Sequence, residues 1–65
     1  MKPEELFEGC VIAEKANPLN LLIFDRKGFG DTYAFNRPQG DGGMYRDYLS
    51  SDQLTRFFVV GRVCG

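Results

Sequence analysis

Turn-forming residues interrupt this chain at Lys15-Ala16-Asn17-Pro18, at Asp25 to Gly30 and at Arg37 to Gly43. What lies between them is too short for helices, which need about 10 residues or more, and long enough for strands of about 4 to 8. Pro18 removes a backbone donor and pushes Asn17 out of the helical region. Gly28 and Gly30 offer positive φ for a reversal, and three glycines with Pro38 make residues 37–43 an open loop that no core can use.

The segments themselves carry strand chemistry. Residues 7–14 centre on Val11-Ile12 and read as a first strand. Residues 19–25 read as the second strand, nearly continuously apolar from Leu19 to Phe24 and broken there only by Asn20, as expected of a central strand covered on both faces. Residues 31–36 alternate, with Tyr33 and Phe35 on one face and Thr32, Ala34 and Asn36 on the other. Residues 44–49 fit two periods. Met44/Tyr48 and Tyr45/Leu49 are spaced as on a helix, whereas strand alternation gives mixed faces.

Ser50-Ser51-Asp52-Gln53 then places a serine three residues before a glutamine, the capping-box pattern, with Asp52 in the first turn where the helix dipole favours an acid. Residues 57–64, Phe-Phe-Val-Val-Gly-Arg-Val-Cys, have the strongest β propensity in the chain, and Gly61 marks a bulge or tight bend. The expected fold is mainly β, or β-rich α+β: a small bent antiparallel sheet or partly open barrel of four or five strands in a single domain, with one short helical turn before the last strand. This layout resembles, in arrangement, the SH3-like barrels, where a helical turn precedes the closing strand. The short turn at residues 15–18 departs from the long first loop of SH3 domains, and an arrangement alone implies no function. The alternative is an α+β fold with residues 43–56 as one broken helix against a sheet.

With 65 residues, folding removes only about 60% of the chain's surface from water, so a monomer is marginal. Residues 57–60 sharpen the problem. Phe57-Phe58-Val59-Val60 is apolar on both faces, which suits a central strand or one covered by another subunit, and an open edge of this kind aggregates. A homodimer or higher oligomer formed through this strand is therefore expected.

The net charge is −1, with residues 1–25 carrying two basic and five acidic side chains and residues 26–65 six basic and four acidic. That balance disfavours non-specific binding to phosphate backbones, which requires cations. No apolar run reaches the length of a membrane span, and the acidic start lacks the apolar core of a secretory signal, so a cytoplasmic protein that does not engage membranes is expected. Cys10 and Cys64 then read as reduced thiols; the alternative is a disulfide between the two ends of the chain.

The chain contains no histidine, the one side chain whose unperturbed pKa lets it exchange protons near pH 7. Ser/His/Asp and Cys/His arrangements are thereby excluded within the chain, and neither cysteine lies in a metal-binding spacing. Asp25 and Asp31 flank one turn but lack the spacing of a calcium loop, and Gly40-Asp41-Gly42-Gly43 lacks the Lys and Ser/Thr of a phosphate-binding loop. No metal, cofactor or enzymatic activity is expected.

What remains is binding. Tyr45, Arg46 and Tyr48 have the Tyr/Arg composition enriched at protein interfaces, and with Phe57 and Arg62 on the last strand they form the expected contact set of a regulator or inhibitor that binds a partner protein. The alternative is a small nucleic-acid-binding barrel. There, Tyr33 and Phe35 would stack bases while Arg26, Lys27 and Arg37 hold phosphates, provided the two aromatic rings are not needed in the core.

Overall fold

The computed structural model describes residues 1–63. A 3-10 turn at Pro3–Glu5 leads into five strands: β1 Cys10–Glu14, β2 Leu21–Lys27, β3 Tyr33–Pro38, β4 Met44–Leu49 and β5 Phe57–Arg62, with the short helix α1, Ser51–Leu54, before β5. All four pairings are antiparallel and the sheet order is β4-β3-β2-β1-β5. The sheet is not closed, so β4 and β5 are its two edges.

Local chemistry explains most of these elements. The β1–β2 connection turns at Asn17, whose carbonyl accepts from the Asn20 N–H at 2.9 Å and whose side chain accepts from the Leu19 N–H. Between β2 and β3, the Gly28 N–H donates to the Thr32 carbonyl at 2.8 Å; Gly30 takes φ +55°, whereas Gly28 does not enter the positive-φ region. The capping box forms as expected: Ser50 Oγ accepts from the Gln53 N–H at 3.3 Å, and the Gln53 side chain accepts from the Ser50 N–H at 2.9 Å. Residues 44–49 pair with β3 along their whole length, which resolves their two periodicities in favour of a strand and excludes the broken-helix alternative. The first strand begins at Cys10 rather than Phe7, because Gly9 at φ +83° turns the chain just before it.

One face of the sheet carries the core. Cys10 and Ile12 of β1, Leu22 of β2, Phe35 of β3, Leu54 of α1 and Phe57 at the start of β5 are buried together. Phe24 meets Phe35 edge to face, with ring centroids 5.4 Å apart, the geometry that aromatic quadrupoles favour. Met1, Leu6, Tyr33 and Leu49 close the periphery. Burying a residue such as Leu22 or Leu54 contributes about 1.5–3 kcal/mol, so this single layer supplies most of the driving force.

The structure decides one alternative about covered strands and corrects one expectation. Segment 57–62 is not central: β5 pairs only with β1, leaving Phe58, Val59 and Val60 exposed while Phe57 is buried. Nor is β2 covered on both faces. Leu22 is buried on the core side, but Leu21 on the other face is exposed. Gly61 does coincide with an irregularity. The register jumps from Ile12↔Val59 to Val11↔Gly61, which leaves Val60 as the extra residue of a bulge.

Candidate functional site

Two surfaces carry part of the residue set that sequence reasoning singles out: the β5 edge, and the side of the sheet opposite the core, over β2, β3 and β4.

The β5 edge is built by its pairing. Lys15 N–H donates to the Arg56 carbonyl at 2.8 Å, so antiparallel alternation turns the N–H groups of Phe57 and Val59 away from β1 and toward the open side. Beside these donors stand Phe58, 38% exposed, and Val60, 49% exposed. Arg62 lies exposed at the end of the strand, opposite Cys10. Phe57 does not share this surface, because its side chain is packed in the core.

The second surface depends on another bulge. In β2, Phe24 faces the core beside Phe35, and strict alternation would return Arg26 to that same face. The register instead skips Asp25, pairing Phe24 with Phe35 and Arg26 with Ala34, so Arg26 emerges on the opposite face. Ala34 in turn faces Tyr48, and Asn36 faces Arg46. A cleft of about 710 Å³ results. Arg26 and Arg46 supply its charge, Phe29 from the β2–β3 turn and Tyr48 from β4 supply its aromatic walls, and Ala34 lies at its base, while Lys27 borders it with its ammonium turned to the Tyr33 side. Phe29 is 97% exposed and Tyr48 62% exposed, so neither ring is consumed by the core.

Asp25 organises the cations. Its Oδ2 accepts from Arg46 Nη1 at 2.5 Å and from Arg26 Nε at 3.2 Å, fixing two guanidinium groups around one oxygen. The hydrogen bond from Arg46 holds the Asp25 carboxyl below its ordinary pKa, with the nearby positive charges of Arg26 and Arg46 acting in the same direction. Lys27 Nζ donates to the Gly30 carbonyl at 2.5 Å and stands 5.5 Å from the centroid of Tyr33, which anchors the turn bearing Phe29.

The structure thus divides both predicted residue sets. Of the protein-contact set, Arg46 and Tyr48 share the cleft, and Tyr45 alternates to the other face of β4 opposite Arg37. Phe57 and Arg62 belong to the far edge of the sheet. Of the nucleic-acid set, Arg26 and Lys27 line the cleft, but Phe35 is fully buried and Tyr33 packs against the core, so neither offers a stacking face there. Arg37 also lies on the core side, donating to Asp47 Oδ2 at 2.7 Å and to the side-chain Oδ1 of Asn20. Phe29 was not singled out, although an apolar ring between two glycines in a tight turn has nowhere to be buried.

Among the described residues no group of three metal-ligating side chains exists. Asp25 is occupied by the two arginines, and Asp31 accepts from the Ser51 N–H and Oγ, so the two aspartates serve different partners. Cys10 is fully buried and its thiol is pushed up by desolvation, the reverse of what a nucleophile needs. Its pairing with Cys64 lies outside the described residues. No described helix is long and apolar enough to cross a membrane. Scans of protein families, of curated proteins and of solved structures return no match to this chain.

Proposed function

We propose that this chain is a non-enzymatic protein-interaction module, of the regulator or inhibitor kind, that self-associates through β5. The observation carrying this reading is that the strand of strongest β propensity stands at an edge of the sheet, paired only with β1, with Phe58, Val59 and Val60 exposed; the Met1 amine meets its open side at the Phe57 carbonyl. An edge of this composition is a template for another strand. The first occupant is a second copy, β5 against β5 in antiparallel orientation, because that contact is self-complementary and closes under twofold symmetry. The gain is largest for a chain this small, whose own core is a single layer. The absence of histidine from the whole chain favours binding over catalysis.

Size-exclusion chromatography with light scattering tests the reading. A concentration-dependent dimer at micromolar protein is expected, reduced to monomer by Val60→Lys. A strict monomer up to several hundred micromolar removes the self-association.

A further inference from the structure

We infer that the cleft between the β2–β3 turn and β4 is a binding site for a phosphate joined to an aromatic base, the repeating unit of single-stranded nucleic acid. The site stands apart from β5, on strands at the other end of the sheet order.

Three features select this ligand. The volume, about 710 Å³, lies within the range of about 300–1,000 Å³ typical of small-ligand sites. Its charge is one-sided: Arg26 and Arg46 are answered only by Asp25, whose single oxygen Oδ2 binds both guanidinium groups and leaves their remaining donors to a ligand. Arginine forks of this kind match phosphate oxygens. Finally, two exposed rings, Phe29 and Tyr48, border the same space beside the small residue Ala34, and each offers a face for a base to stack on. An acidic peptide would satisfy the cations but gain nothing from the rings, whereas a nucleotide uses both.

The chain's net charge of −1 does not oppose this assignment. Exposed charges are screened beyond about 10 Å at 0.1 M salt, so a ligand in the cleft senses the local cluster. None of the four glutamates lines the cleft. The stacking platform expected from Tyr33 and Phe35 is therefore replaced by Phe29 and Tyr48, while Arg26, joined by Arg46, keeps the phosphate-binding part and Lys27 stays with Tyr33.

The test is fluorescence-anisotropy titration of the full chain with a labelled twelve-nucleotide oligothymidylate at 50 mM salt, with unlabelled mononucleotide and a poly-glutamate peptide as competitors. Expected is saturable binding that falls about 7-fold between 50 and 200 mM salt, the slope for two cations on a single strand. Phe29→Ala should weaken it about tenfold or more, as loss of one stacked base does. Phe29 is almost fully exposed, so this change leaves the fold intact. Arg26→Ala should weaken binding and flatten the salt dependence, while Lys15→Ala, removing an exposed charge elsewhere, should leave both unchanged. Competition by mononucleotide as effective as by oligonucleotide supports the site with a free nucleotide as occupant; competition only by the oligonucleotide supports a strand. Absence of binding at 50 mM salt, equal competition by poly-glutamate, or binding indifferent to both Phe29→Ala and Arg26→Ala overturns the inference.

Discussion

The two edges of the sheet solve the same physical problem differently. Both β4 and β5 pair with another strand on one side only, and both are six residues long; the Met1 amine meets the open side of β5 at the Phe57 carbonyl, 3.1 Å away. Strand β4 interleaves its apolar residues with charges that are engaged across the sheet. Arg46 is bound to Asp25, and Asp47 Oδ2 accepts from Arg37 Nε at 2.7 Å with Arg37 Nη2 2.5 Å away. A strand approaching β4 must displace or desolvate those pairs. Strand β5 has no charge before Arg62, and its only irregularity is the bulge at Val60. The difference teaches that edge position alone does not make a docking strand; what matters is whether charged side chains guard it.

The strongest way to break the comparison is to remove the layer supporting both edges. Phe35→Ala should cost about 3–5 kcal/mol, because it empties a fully buried site shared by Phe24 and the core side of β1 and α1. Urea unfolding followed by circular dichroism should show both edges lost in one transition; retention of β4 pairing after β5 has melted would show that the edges are independent. Next in size is the exchange of edge character. Arg46→Val with Asp47→Val gives β4 the composition of β5, and light scattering should then detect species larger than the dimer. If the assembly is unchanged, charge is not what protects β4.

A smaller effect is expected from the ion pairs singly. Asp47→Ala, which releases a half-exposed arginine, should cost about 1 kcal/mol or less in thermal denaturation. The smallest concerns pH. Asp25 has its folded pKa lowered by Arg46, so its contribution to stability is present above the ordinary value of 3.8 and is lost as pH falls through the lower folded value. Unfolding midpoints compared at pH 7 and pH 3 should fall less for Asp25→Asn than for the natural chain, and an equal fall would assign the acid sensitivity to other carboxylates.

Features governed by neighbours in sequence were legible before the fold was known. Ser50 and Gln53 announce α1, Asn17-Pro18 announces the first turn, and the alternation of Tyr33 to Asn36 announces β3. Features set by pairing were not. The exposure of Phe58 to Val60 follows from β5 joining β1, some 45 residues earlier in the chain, and no local pattern encodes that choice. The cleft was half legible: its cations and Tyr48 stood out by composition. What brings Arg26 to the face of Tyr48 is a one-residue bulge at Asp25, and a slip of one residue moves a side chain to the other side of a sheet. Tyr33 and Phe35 failed as a binding face for a related reason. A domain with one core layer takes its large rings from the best-patterned strand first.

The pairing of β1 with β5 also sets the order of assembly. The contacts among β1, β2, β3 and β4 join neighbouring segments, whereas β5 must close a loop that spans most of the chain. Loop closure of that length is the entropically costly step, so β5 is expected to dock last and to limit the folding rate. Until it docks, β1 has a vacant side and Phe57 has no core. At high concentration the vacancy on one molecule is filled as readily by the β5 of another, giving a strand-exchanged dimer in which every native contact is retained but shared between two chains.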